Sequence, residues 1–371
     1  MNTDDLVPLL DEIGRFSRER IGVAVARPES PIDTPTIERL TREAVELGLV
    51  PSCSEAEGFG LWTQTDHAEA VAFSIGALRH LGRDSPAVAL AWHRCALARN
   101  LAKQIGFVLP DAPLATALTL VGHYGLARTS LARWLKGASL GNDDQEMLGD
   151  WLDRQQHATP MLTAAGWTSL IWPEWHDQRI TWRMLPAHTL SGAQCRPQHG
   201  LDELSGWLVQ GGSGGELRIP AEAESRRLYG HLLKADCIGL LAIALGALDN
   251  GQQLARDYAA LRRQGGKRID QHAAVQTMLG EVAMALQQAQ TALHGLAQPL
   301  DDLDAGRVLA LRAKLHDGLC QAANQVMQIH GGIGYMRDCG VEKIVRAQNM
   351  LKLQSGGTRE IALFLAAWGD D

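Results

Sequence analysis

The chain has 371 residues, 46% of them hydrophobic, and a formal net charge of -7. That length exceeds the usual size of one hydrophobic core and implies two or three packed units. The acidic balance excludes an extended phosphate-tracking surface of the kind nucleic-acid binders carry, and no uninterrupted run of about 18 apolar residues marks a membrane span.

Residues 1–112 read as a helical unit. Thr34-Pro35 is a helix-start signal, and Ile37, Leu40, Ala44 and Leu47 follow at helical spacing. Residues 113–220 read as a helical insert followed by a small β-domain. Leu131, Leu135, Leu148, Trp151 and Leu152 fall on helix faces, and strands are expected only from Pro160 onward. There Trp167, Trp172, Trp175 and Trp182 alternate with β-branched Thr168, Ile171, Ile180 and Thr181 around a His176-Asp177-Gln178 turn. The run Gly211-Gly212-Ser213-Gly214-Gly215 is read as a linker or hairpin, since no strand and helix flank it in the order a dinucleotide loop requires. From 221 to 371 the apolar positions repeat at helical spacing, as in Ile238, Leu241, Leu245 and Leu248, which predicts a four-helix bundle. The predicted fold class is therefore mainly α with a small β-domain.

The six cysteines, at 53, 95, 195, 237, 320 and 339, form no CxxC pair, and the acidic start of the chain leads into an amphipathic segment. Reduced thiols and a cytoplasmic location are expected, with no metal site.

The C-terminal motifs are more specific. Gln328-Ile329-His330-Gly331-Gly332-Ile333-Gly334-Tyr335 is followed by Gly356-Gly357-Thr358-Arg359-Glu360-Ile361. Upstream, Tyr258, Arg262, Gly266-Lys267, Ala274-Val275 and Met278-Leu279 stand in one gapless register. Together these resemble the third domain of acyl-CoA dehydrogenases. The resemblance implies FAD, held across a subunit interface with its diphosphate on Arg262, Gln328, Gly331 and Gly332, and with Thr358 and Trp167 nearer the flavin. Guanidinium groups pair with phosphate oxygens, and glycines let backbone N–H groups approach an anion. It also implies an acyl-CoA or acyl-carrier thioester as substrate, and a homo-oligomer or a hetero-oligomer with a second acyl-CoA dehydrogenase subunit. The chain departs from the pattern at three places. The aromatic residue that packs on the adenine in relatives is Gly265 here, the family's Arg-Asp is Arg346-Ala347, and the middle β-domain is reduced, with Trp167-Thr168-Ser169 as its nearest flavin-contacting remnant.

In the family a glutamate commonly stands directly before the Gly-Thr pair and removes the α-proton of the thioester while the β-hydride passes to the flavin. Gly356, preceded by Ser355, occupies that place here. Other relatives carry the glutamate on an earlier bundle helix, and the register from Tyr258 leads back to Asp236, set among apolar Ala235, Cys237, Ile238 and Leu240. A carboxylate there needs a partner or a task. As a base it would have its pKa raised toward neutrality by burial beside an acyl chain. As a structural residue it would pair with a cation such as Lys234 or Arg227. Two functions stay open on sequence: an acyl-CoA dehydrogenase that uses Asp236, and a catalytically silent subunit that completes a partner's FAD site. A flavin-independent acyl-thioester binder is a third.

Overall fold

The computed structural model describes residues 3–25, 30–51, 60–120, 125–153, 158–196 and 199–369. Helix α1 (Thr3–Phe16) runs into a π-helical turn, Ser17–Gly22, and is followed by α2 (Thr34–Glu46), α3 (Ala68–Asp84) and α4 (Pro86–Ile105). The start of α2 is where Thr34-Pro35 places it, because Asp33 Oδ1 accepts the Thr36 N–H at 2.9 Å. Ile37, Leu40 and Ala44 are buried and Leu47 is half-buried. Ser85 caps α4 in the same way, and Gly106 at φ +77° ends it.

The middle region departs from the sequence expectation at one point. A strand, β1 (Thr116–Leu118), lies inside the segment read as wholly helical, before α5 (Ala127–Leu135) and α6 (Asn142–Leu152). Three residues are too few to show alternation, and β1 exists because it pairs in parallel with a strand some fifty residues later, Thr116 opposite Ser169. The remaining strands are β2 (Thr159–Thr163), β3 (Ser169–His176), β4 (Arg179–Pro186), β5 (Ser191–Arg196), β6 (Ser205–Gln210) and β7 (Glu216–Arg218). They form a four-stranded sheet in the order β1-β3-β4-β7 and a three-stranded sheet in the order β2-β6-β5. The β3–β4 hairpin turns at Asp177 and Gln178, both left-handed (φ +46° and +60°), which matches the right-handed twist of the strands. The glycine-rich run at 211–215 carries the chain from one sheet to the other.

Helix α7 (Glu222–Leu261) is the axis of the molecule, and Leu228–Leu248 is buried without a break. By length and composition it is apolar enough to cross a membrane, and here its apolar window is wholly covered by other parts of the chain. After the small hairpin β8 (Arg263–Gln264) and β9 (Lys267–Arg268) come α8 (Ala273–Gly295), α9 (Ala305–His330) and α10 (Val341–Leu353), which pack with α7 as a four-helix bundle. Helix α11 (Thr358–Gly369) folds back on α5 and α9. Helices α3 and α4 lie against the outer side of α7. Arg346 of α10 is paired with both Asp202 oxygens at 2.7 Å, tying the bundle to the β5–β6 connection. Ala347, where relatives carry an aspartate, is buried in the bundle.

The α3–α7 crossing depends on two glycines. A Cβ on Gly246 would stand 1.9 Å from the Arg79 carbonyl oxygen, and one on Gly82 would stand 2.4 Å from that of Ile243. Alanine favours a helix over glycine by about 1 kcal/mol, but here it meets backbone that cannot yield. Gly246→Ala should therefore lower unfolding stability by about 1–3 kcal/mol in urea denaturation, against the propensity trend.

Candidate functional site

Asp236 sits in the middle of α7, fully buried, where α4 and the turn between α10 and α11 meet it. Both oxygens of its carboxylate are engaged. Oδ1 lies 2.6 Å from Arg94 Nε in an ion pair and accepts from His93 Nε2 at 3.1 Å. Oδ2 receives Arg94 Nη2 at 3.1 Å and the Ser355 hydroxyl, and Arg94 Nη2 also reaches Ser355 Oγ at 3.2 Å. The Trp62 indole N–H can only donate, and it donates to His93 Nδ1 at 2.8 Å. That fixes His93 as the neutral tautomer with its proton on Nε2, pointed at Asp236. Burial holds the His93 pKa below its ordinary value, although Asp236 pulls the other way.

The raised pKa anticipated from the sequence is reversed. Burial would lift the Asp236 carboxyl, but the Arg94 charge, with hydrogen bonds from His93 and Ser355, outweighs it and holds the pKa at about 2. The cations suggested by sequence are occupied elsewhere: Lys234 Nζ caps the carbonyls of Leu300 and Leu303, and Arg227 pairs with Glu224. Arg94 comes from another helix 142 positions away, so no local spacing could name it.

The turn after α10 is held from the other side. Buried Arg312 donates to the carbonyl oxygens of Leu351, Lys352, Gln354 and Gly356, taking up the orphan acceptors at the end of α10. Buried Arg128, its guanidinium over the Trp151 ring, donates to Ser355 O at 2.7 Å. Trp62 and Ser355, two of five left-handed non-glycine residues among those described, both belong to this network. Such a backbone persists only where surrounding bonds over-determine it. Gly356, at φ +96°, has no room for a side chain, since a Cβ would lie 2.7 Å from Arg128 Nη2. Thr358 opens α11 with its hydroxyl on Asp317 at 3.1 Å.

The remaining candidates lie apart from Asp236. Arg262 leaves the end of α7 exposed, beside exposed Arg263. Tyr258 stacks on His330 with centroids 4.6 Å apart, which brings the ends of α7 and α9 together. Arg262, Gln328, Gly331 and Gly332 thus share one end of the bundle. Gln328 is exposed, and nothing lies within 4 Å of a Cβ on Gly331 or Gly332. Trp167 is in the core of the β region, edge-on to Trp207 at 5.5 Å.

Residues 231–367 match the family model described as acyl-CoA dehydrogenase, C-terminal domain. Over 129 residues the chain is 33% identical to 3-sulfinopropanoyl-CoA desulfinase of Paraburkholderia xenovorans, covering 34% of this chain and 33% of that protein. Over 160 residues it is 29% identical to the probable acyl-CoA dehydrogenase YngJ of Bacillus subtilis, covering 41% and 42%. The aligned part is therefore less than half of either relative. The whole fold superposes on butyryl-CoA dehydrogenase from Megasphaera elsdenii with a TM-score of 0.74 and 17% identity, covering 99% of this chain and 98% of that one. The C-terminal part of the chain, residues 231–367, is thus an acyl-CoA dehydrogenase C-terminal domain, and the whole chain has the acyl-CoA dehydrogenase fold. That family implies FAD, which when bound would supply the hydride acceptor. At the diphosphate end Arg262 and Arg263 make no ion pair among the described residues, and the Gly331-Gly332 backbone is open. Beside β1 and β2, a cleft lined by Arg94, Leu118, Met161 and Thr163 encloses about 10 Å³, space for one water. A cavity of about 740 Å³ opens elsewhere, against Ile37, Thr41 and Leu114, and Asp236 does not line it.

The ion pair has a pH signature. The folded pKa of Asp236, about 2, lies below the free value of 3.8, so its contribution is complete above about pH 4 and is lost as pH falls through 2. Asp236→Asn, which leaves Arg94 without its counter-charge, should cost on the order of 3–5 kcal/mol at pH 7. Denaturant titrations of both forms should show the difference narrowing between pH 4 and pH 2.

Proposed function

We propose that this chain is the non-catalytic subunit of a hetero-oligomeric acyl-CoA dehydrogenase. It lends the Arg262 hairpin and the Gln328–Gly332 turn to the FAD diphosphate of a partner of the same fold, and the partner supplies the flavin pocket and the base that act on an acyl-thioester. The observation that carries this reading is the saturation of Asp236. A general base needs a free lone pair within reach of the substrate proton and a pKa near the working pH. Asp236 is sealed from solvent, bonded on both oxygens and held at about 2.

The second place for a base is closed as well. Arg128 Nη2 stands 2.7 Å from where a Cβ at Gly356 would lie, closer than contact distance. The diphosphate-binding features, in contrast, are exposed at the bundle end and unengaged by carboxylates, as a half-site meant for a ligand shared with another chain would be.

Purified alone, the chain should show no stoichiometric flavin bands and no acyl-CoA-dependent bleaching. Co-expressed with a complete acyl-CoA dehydrogenase from the same genome, it should co-purify as a hetero-oligomer, and Arg262→Ala should lower the FAD content of that complex by about tenfold or more. Stoichiometric FAD in the isolated chain, reduced by an acyl-CoA, would overturn the reading. Restoring the carboxylate by Gly356→Glu should give no turnover and should destabilise the fold by more than about 1 kcal/mol, measured by thermal unfolding, because it meets both Arg128 and a left-handed backbone.

A further inference from the structure

We propose that the cavity between the N-terminal helical unit and the β region is a second binding site, for a large apolar α-amino acid. It lies apart from Asp236, and the reading depends on neither flavin nor diphosphate. The cavity holds about 740 Å³, within the range of small-molecule sites. One wall is the face of α2 that carries Ile37, Thr41 and Val45 at helical spacing. The facing wall is the connection from α4 to β1, with Pro113 and Leu114, and the β2–β3 connection closes a third side at Gly166.

These walls are preformed. Thr41 Oγ1 donates to the Ile37 carbonyl oxygen at 2.7 Å and accepts the Trp92 indole N–H at 3.0 Å, which fastens α2 to α4. The Cys95 thiol donates to the Pro113 carbonyl oxygen at 2.9 Å, and the Ala115 carbonyl oxygen accepts the Thr168 N–H at 2.8 Å. A ligand that enters has little backbone to order, and that ordering is one of the main costs of binding.

Charge at the mouth selects the ligand. The nearby cations Arg20 and Arg39 both pair with Glu43. Glu38 and Arg42, which line the cavity, are exposed on α2 one helical turn apart, and their side chains make no hydrogen bond or ion pair among the described residues. One uncommitted carboxylate and one uncommitted guanidinium beside an apolar floor complement a zwitterion, with Arg42 on the ligand carboxylate and Glu38 on its ammonium. A simple carboxylate would add to the negative field of Glu38, and a simple amine would face Arg42. Asp111 on the facing wall contributes a further negative charge, which disfavours polyanions such as nucleotides and acyl-CoA. The floor of Ile37, Val45, Pro113 and Leu114 takes the ligand's side chain by burial of apolar surface.

The test is calorimetric titration of the purified chain with L-tryptophan, with indole-3-propionate, which lacks the ammonium, with tryptamine, which lacks the carboxylate, and with glycine, which has the head group alone. L-Tryptophan should bind about tenfold or more tightly than any of the other three, the scale of one hydrogen bond to a charged group. Arg42→Ala should bring L-tryptophan down to the affinity of tryptamine, and Glu38→Gln should bring it down to that of indole-3-propionate. Absence of L-tryptophan binding, equal affinity for L-tryptophan and any of the three truncated ligands, or unchanged L-tryptophan affinity in either variant overturns the assignment. Positions 38 and 42 are exposed and outside the packed core, and a circular dichroism spectrum of each variant verifies that the fold is retained.

Discussion

The Arg94–Asp236 ion pair is the constraint on which the rest of this molecule depends. It joins α4, α7 and the turn before α11 at one buried point, and it converts a carboxylate in an apolar helix from a liability into a fastening. Isolated, such a carboxylate would be protonated or would destabilise the fold severely. Paired with a guanidinium and two further donors, it stays ionised far below neutrality. Specificity rather than net stabilisation is what such a pair provides, since well-packed apolar residues of equal volume often do as well. In this fold it sets the position of three elements.

The same economy runs through the surrounding turn. Arg312 and Arg128 hold residues 351–356 through their carbonyl oxygens, with no carboxylate among those partners. The left-handed conformation of Ser355 and the positive φ of Gly356 are sustained by these bonds. The segment before the Gly357-Thr358 pair is a clasp held by buried arginines, and a side chain added at Gly356 would have to displace Arg128.

The other end of the bundle follows a different rule. Its charged groups are exposed and largely uncommitted, its glycines are open, and the Tyr258–His330 stack holds the two helix ends together without occupying the surface. A molecule with a rigid, sealed centre and an open end where Arg262 and Arg263 are exposed suits a subunit that supports a ligand at an interface.

Much of this was legible in the sequence. The helices with strong periodicity, the β3–β4 turn, the four-helix bundle and the Gln328–Gly332 and Gly357-Thr358 motifs follow from local spacing, because a helix or a tight turn is decided by residues within a few positions of one another. The buried carboxylate at Asp236 was also visible as an anomaly in an apolar run. Its meaning was not. The partner that sets its pKa comes from α4, the strand β1 exists only through its pairing with β3, and the closure of the Gly356 position depends on Arg128 of α5. Each is a contact between residues more than fifty positions apart, and electrostatics and packing at that range are created by the fold, so only the tertiary structure decided which groups surround Asp236 and in which direction its pKa moves.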